Sequence, residues 1–196
     1  MGYARLDFHR DLRQGLPEVV FCQNKTPEQV LAIMRRLWDH HDRVLGTRVP
    51  VEMADFVCEH LPEVDYDSTS RLLRLSRGEL PAWSQDEPYA MVVTGGTSDQ
   101  FVAEEAAQTL EFLGSRVERA YDVGVSGVHR LFQERQRLFD ADVIISVAGM
   151  EGALTSVVGG LVSCPVVGVP PSVGYGAHFE GVPALLSMLN ACAPGI

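Results

Sequence analysis

Apolar positions along this chain change their rhythm near residue 87, and the change divides it into two segments. In the first, KTPEQVLAIMRRLWDHH places Leu31, Met34, Leu37 and Trp38 at three- and four-residue spacing, on one face of a helix. Its start is spelled out in the residues. Thr26 predicts the N-cap, Pro27 the first helical position, and Gln29 the far side of a capping box. EVVFC (18–22), RVLGTRV (43–49) and TSRLLRLS (69–76) read as short strands and VEMADFVCEHL (51–61) as a short helix. Together they predict a small β-α-β-α-β unit.

From residue 88 the alternation is more regular. YAMVVTGG (89–96), RVERAYDVG (116–124), DVIISVAG (142–149) and PVVGVP (165–170) read as buried strands. SDQFVAEEAAQTLEFLG (98–114), VHRLFQERQRLFD (128–140), a Gly/Ala-rich stretch over 152–163 and GVPALLSMLNAC (181–192) read as helices. LPAWSQDEP (80–88), rich in Pro and acidic residues, breaks the periodicity between the segments. Strands alternating with helices imply right-handed crossovers and a parallel sheet. The expected fold is therefore α/β: a three-layer, flavodoxin-like parallel-sheet domain over 88–196, preceded by a small α/β domain over 1–87. Ligands of such sheets bind beyond the carboxyl ends of the strands, which directs attention to the loops after residues 94, 149 and 170.

Composition narrows the partners. The 196 residues carry a formal charge of −10, which disfavours nucleic-acid binding, since that needs a basic surface. Basic residues nevertheless cluster locally, at Arg5, His9, Arg10, Arg13 and Lys25 and again at Arg71, Arg74 and Arg77. Such clusters suit either solvated surface or the phosphates of a small molecule. No apolar run reaches the length of a bilayer span, and the first residues lack a signal-peptide core, so the expected location is the cytoplasm, without membrane association. Cys22, Cys58, Cys164 and Cys192 form no CxxC pair and predict neither disulfides nor structural zinc.

Each strand-end loop carries candidate chemistry. In TGGTSD, Gly95 and Gly96 permit a tight turn, and Ser98 or Asp99 can cap the following helix or hold a ribose, phosphate or carboxylate. The sequence is neither GxGxxG nor a Walker loop. In SVAGMEGALTSVVGGL, small residues around Gly149 leave room for a planar or very small ligand such as CO2. Glu151, expected in the first helical turn, either complements the helix dipole or acts as a base. GVPPSVGYGAHFEG is a long irregular connection offering Ser172, Tyr175 and His178 as hydroxyl, stacking ring and acid/base.

VVTGGTSDQFVAEEAAQTLEFLG, YDVGVSGVHRL, ADVIISVAGMEGALTSVVGGLVSCPVVGVPPSVGYGA and ALLSMLNACAPGI together resemble the LarB family, whose fold is related to the PurE-type aminoimidazole ribonucleotide (AIR) carboxylases and mutases. YARLDFHRDLRQGLPEVVFCQNKTPEQV extends the resemblance over nearly the whole chain. LarB proteins begin assembly of the nickel-pincer nucleotide cofactor. They carboxylate the pyridinium ring of nicotinic acid adenine dinucleotide with CO2 or bicarbonate and hydrolyse its phosphoanhydride. The products are pyridinium-3,5-biscarboxylic acid mononucleotide and AMP.

The resemblance implies roles for particular residues. Cys192, in the LN-x-C segment, is the expected nucleophile: its thiolate adds to the electron-poor ring, creating a carbon able to attack CO2. Glu151 is the expected proton carrier, with His178 as helper. Ser98, Asp99, Gly95, Gly96, Gly149, Ser172 and Tyr175 are expected against the ligand, and Arg10, Arg13 and Lys25 against its pyrophosphate or carboxylate. Cys22, Cys58 and Cys164 are assigned to packing. Mg2+ is the expected cofactor for the hydrolysis, although no metal-binding motif announces it, and a homo-octamer is the expected assembly. PurE-type enzymes place a histidine where this chain has Glu151, which argues against AIR as substrate. Family members continue past CAPGI and carry a helical segment before YARLD, so both ends are expected to be trimmed here. A PurE-like carboxylase or mutase, and a non-catalytic nucleotide-binding module, stand as alternatives.

Overall fold

The computed structural model describes residues 2–80 and 82–196 and separates between 81 and 82 into two compact units. The first holds α1 (Arg10–Gln14), β1 (Val19–Phe21), α2 (Pro27–Trp38), β2 (Arg43–Thr47), α3 (Val51–His60), β3 (Asp65–Asp67) and β4 (Leu72–Ser76). Its sheet runs β1-β2-β4-β3, with β1 and β2 parallel and the other pairs antiparallel. The capping box of α2 forms as its residues predict. Gln29 N donates to Thr26 Oγ1 at 3.3 Å, and Thr26 N donates to Gln29 Oε1 at 3.1 Å. The apolar face of α2 then buries Val30, Leu31, Ile33, Met34 and Leu37. Against them lie Val20, Val44, Leu73 and Leu75 of the sheet. The helix α1 and the strand β3 were not predicted. Both are short and polar, and β3 is an edge strand whose Asp65 pairs with Arg74.

The boundary falls ahead of the expected 87/88 junction because residues 82–88 are fastened to the second unit. Trp83 Nε1 donates to Gly114 O at 3.2 Å, and Arg116 Nη1 donates to the carbonyls of Gln85 and Glu87, each at 2.7 Å. The second unit contains β5 (Tyr89–Thr94), α4 (Gln100–Phe112), β6 (Arg116–Ala120), α5 (Val128–Gln133), α6 (Arg135–Asp140), β7 (Val143–Val147), α7 (Ala153–Leu161), β8 (Val166–Val169) and α8 (Val182–Leu189). Its four strands are all parallel, in the order β6-β5-β7-β8. The central strand β5 is buried along its whole length, as a parallel strand covered on both faces should be. Val92 and Val147 face Ala103 and Ala107 of α4. Met91, Val93 and Ile144 face a second layer that includes Leu131, Leu138, Leu154, Val158 and Met188. This is the expected three-layer arrangement.

Local departures have local causes. The helix expected over 128–140 breaks at Glu134 (φ −89, ψ 4) into α5 and α6. The strand expected over 116–124 stops at Ala120, and Asp122 takes the left-handed region at φ 57. A short 3-10 turn, Thr97–Asp99, precedes α4. Among the described residues no helix is long and apolar enough to cross a membrane.

Candidate active site

Parallel strands deliver their loops to one end of the sheet, and there the second unit encloses a cavity of about 350 Å3. The loop after β5 contributes Gly95, Gly96, Ser98 and Asp99. The loop after β7 contributes Ala148, Gly149, Met150 and Glu151, continuing into Ala153 and Leu154 of α7. Val173, Gly174 and Tyr175 come from the long connection after β8. All lining residues belong to the second unit.

Asp99 is the most constrained of these groups. Its side chain does not cap α4, as had been an option from the sequence. It turns back, and Oδ2 accepts from Gly96 N at 2.9 Å. The residue is 5% exposed. Desolvation pushes its carboxyl above the ordinary value of 3.8, partly offset by the backbone amides of Gly96 and Gly149. A carboxyl shifted upward by burial and held beside two glycine amides keeps its proton to higher pH than a surface aspartate does. Glu151 lies on the same cavity, exposed, in the turn before α7 rather than in its first turn, because the helix starts only at Ala153.

Other expected residues are distributed differently. Tyr175 lines the cavity and is 77% exposed, free to present its ring. Ser172 is exposed and outside the lining. His178 also lies outside it, packed within its own loop: a Cβ on Gly174 would stand 3.0 Å from its Cγ, and its buried Nδ1 has no hydrogen-bond partner among the described residues. Arg10, Arg13 and Lys25 belong to the first unit and do not line the cavity. Arg13 is held by Asp7 at 2.5 Å, Arg10 Nε donates to Gln14 Oε1 at 3.0 Å, and Lys25 Nζ donates to Phe21 O at 2.5 Å.

Cys192 is exposed and is not part of its own chain's cavity. Three residues beyond it, Gly195 O accepts from Val166 N, the first residue of β8, at 2.8 Å. That bond pins the segment at the amino end of the strands, whereas the cavity opens at their carboxyl ends. Cys22 is buried, and burial pushes its thiol up to about 12, in keeping with a packing role.

The sequence reading overlooked the loop after β6. It brings Asp122, Gly124, Val125, Ser126 and Arg130 to the cavity wall, with Arg130 Nη1 2.6 Å from Asp122 Oδ2. Two signals were available: every strand of a parallel set ends in a loop on the ligand side, β6 included, and DVGVSG has the small-residue texture of the three loops that were chosen.

Comparison with known proteins covers both units. Residues 1–77 match the LarB/PurE-like N-terminal domain, and residues 89–196 match the AIR carboxylase domain. The chain is 36% identical over 202 residues to an uncharacterised protein of Methanocaldococcus jannaschii, an alignment covering 98% of this chain and 76% of that protein. It is 36% identical over 108 residues to the N5-carboxyaminoimidazole ribonucleotide mutase of the same organism, covering 54% of this chain and 63% of the mutase. A probable N5-carboxyaminoimidazole ribonucleotide mutase of Methanothermobacter thermautotrophicus is 30% identical over 123 residues, 60% of this chain and 34% of its own length. A parallel sheet with its cavity at the strand ends, an AIR carboxylase match over that sheet and a LarB-type match over the unit before it converge on one assignment: the chain belongs to the LarB family, relatives of the PurE-type AIR carboxylases.

Proposed function

We propose that this protein carboxylates the pyridinium ring of nicotinic acid adenine dinucleotide and cleaves its phosphoanhydride, giving pyridinium-3,5-biscarboxylic acid mononucleotide and AMP. The observation that carries the reading is the pairing, in one strand-end cavity, of the buried Asp99 carboxyl with Glu151 beside the small residues Ala148, Gly149 and Ala153. Small residues leave room for CO2, and the two carboxyls supply proton handling next to a cationic ring. In the proposed sequence a thiolate adds to the ring and forms a C–S bond at the cost of aromaticity. The resulting enamine-like carbon attacks CO2. Glu151 takes the proton from that carbon, the C–S bond breaks, and its electrons return to sulfur as the ring rearomatises. Water then cleaves the phosphoanhydride.

The thiolate of this sequence is Cys192. Since it lies at the opposite end of its own sheet from the cavity, the covalent step requires Cys192 of a second copy, in keeping with the homo-octamer proposed from the resemblance. Among the described residues no three His, Cys, Asp or Glu side chains converge as a metal site. Mg2+ therefore fits only as a counter-ion carried on the substrate's diphosphate, and none of the steps above depends on it.

The test is incubation with nicotinic acid adenine dinucleotide, bicarbonate and Mg2+, reading AMP and the carboxylated mononucleotide by mass. Mixing Cys192→Ser with Glu151→Gln protein should restore activity that each lacks alone. No AMP from wild-type protein rejects the reading. A second reading, turnover of N5-carboxyaminoimidazole ribonucleotide, is favoured by the similarity of the second unit to the archaeal mutase. It predicts product from that ribonucleotide and indifference to Cys192→Ser.

A further inference from the structure

Thr94, Asp99, Ser146 and Thr155 are buried polar side chains of the second unit. Ser146 and Thr155 bond each other, and Asp99 belongs to the cavity. Thr94 is fully buried, is not among the lining residues and has been given no role. It ends β5, one residue past the last rung of the β5–β6 ladder, Val93 opposite Ala120. Its two oxygens nevertheless take two successive amides of the neighbouring segment. Asp122 N donates to Thr94 Oγ1 at 2.9 Å, and Val123 N donates to Thr94 O at 3.0 Å. Successive amides of an extended strand point to opposite sides, so both reach one residue only if the chain turns between them. Asp122 makes that turn in the left-handed region, at φ 57. Val123 is thereby buried, and Gly124 comes against Gly95, where an added Cβ would stand 2.3 Å from Gly95 O.

We propose that Thr94 is a positioning residue for this cavity: its hydroxyl locks Asp122 in the left-handed turn and so holds in place the wall formed by Gly124, Val125 and Ser126. The inference rests on the reading of the cavity as a pyridine dinucleotide site and adds to it a residue that touches no substrate. A left-handed residue other than glycine costs free energy and persists only where its surroundings over-determine it. Any residue at position 94 would offer its carbonyl to Val123. The hydroxyl is what threonine adds, and it satisfies the amide of the strained residue itself. Without it Asp122 N loses its acceptor, the turn relaxes and the wall draws away from Gly95. Asp99 and Glu151 sit on the loops after β5 and β7 and keep their places.

The test compares Thr94→Val, close in shape but without the hydroxyl, with Thr94→Ser, which keeps it, both in the full chain. Amide hydrogen exchange followed by NMR reads the turn. Asp122 and Val123 should be protected in wild type and in Thr94→Ser, and should exchange faster in Thr94→Val. Calorimetric titration with nicotinic acid mononucleotide reads the cavity. Affinity should fall about 3- to 10-fold in Thr94→Val, the scale of one hydrogen bond, and return in Thr94→Ser. In AMP release from the dinucleotide, KM should rise by a similar factor while kcat changes far less. Adding Thr94→Val to Gly124→Ala, whose wall is already displaced, should weaken binding little further, whereas independent effects would multiply. Wild-type exchange or wild-type affinity in Thr94→Val overturns the proposal. So does a loss that Thr94→Ser fails to recover, and so does full multiplication with Gly124→Ala. If Thr94→Val does not fold, the other two proteins decide: protection of both amides with equal affinity upholds the proposal, and open amides in wild type overturn it. A wild type that protects both amides yet binds no mononucleotide rejects the dinucleotide reading, and exchange in the variants then decides whether Thr94 holds the turn.

Discussion

Gly124→Ala tests whether contact between two strand-end loops sets the geometry of the cavity. The added Cβ would stand 2.3 Å from Gly95 O, 3.1 Å from Gly95 C and 3.4 Å from Gly95 Cα. All three are backbone atoms and cannot rotate away. The loops after β5 and β6 must therefore part by at least ~0.7 Å to reach even the 3.0 Å that real Cβ atoms tolerate. Overpacking of this kind costs ~1–3 kcal/mol, or roughly 3–9 °C in melting temperature for a chain of this size. The same displacement moves Gly95 and Gly96 away from Asp99, and carries Asp122 and Arg130 outward. Misplacement approaching 1 Å costs on the order of 10- to 100-fold in rate. Calorimetric melts and kcat/KM for AMP release would be compared with Gly160→Ala, an exposed helical position where an added Cβ meets nothing within 4 Å. That control should gain roughly 0.5–1 kcal/mol from helix propensity and leave the rate alone. If Gly124→Ala melts and turns over like wild type, the loops are not in the contact described.

Two further outcomes follow from groups already described. Asp99 holds its proton above the ordinary carboxylate range when folded, so the wild type loses stability as pH rises from about 4, where the unfolded carboxyl ionises, through the higher folded value. Asp99→Asn carries no such dependence. Its melting temperature should gain on wild type across that window and stay level above it, while carboxylation falls steeply; a constant difference across pH would contradict the assignment. Arg119→Met should destabilise the second unit by about 2–3 kcal/mol in urea melts. Arg119 is held by Glu104 at 3.0 Å and Glu111 at 2.6 Å, and Tyr121 Oη also donates to Glu104 Oε1 at 2.7 Å. Its loss leaves two partly buried carboxylates facing each other, and a change below about 0.5 kcal/mol would show the network to be idle.

Legibility in the sequence tracked how local the determining physics is. The capping box at Thr26 and Gln29, the apolar stripe of α2 and the continuously buried β5 are decided by neighbours a few residues away, and their pattern shows in the letters. Parallel order followed from alternation and handedness. Asp99 was found as a candidate with capping left open as an option, because its choice between Gly96 N and the helix amides depends on how far the 3-10 turn runs. Glu151 was found but placed in the first turn of a helix that starts only at Ala153. Arg130 and Asp122 were missed because what makes them part of the cavity is nonlocal. Gly124 must touch Gly95, nearly thirty residues earlier in the chain, and no periodicity records that contact. Cys192 shows the same limit from the other side: a motif names a residue, but which end of a sheet it reaches depends on the bond between Gly195 and Val166.

The charges of the cavity fit a ligand that is itself dipolar. Three carboxyls and one guanidinium would repel a simple polyanion, and the chain as a whole carries −10. A pyridinium bearing a carboxylate and phosphates has both signs, and under the proposed reaction each finds a counterpart. Under that proposal the ring cation would lie toward Glu151 and Asp99. CO2, neutral and without hydrogens, gains nothing from charge and needs only the space beside Ala148 and Gly149. The reaction then adds one negative charge to the ring as its C–H proton departs. A carboxyl already shifted toward protonation, as Asp99 is by burial, adds less negative charge to the cavity than an ionised one. It therefore opposes the new carboxylate less. Replacing Asp99 by Glu would retain the acid but push it against Gly95 and Gly149, whose added Cβ atoms would already lie 3.3 and 3.4 Å from its carboxyl oxygens. Asp99→Glu should therefore lose activity much as Asp99→Asn does, and full activity in the Glu variant would show that acidity alone, rather than acidity at this depth, is what the reaction uses.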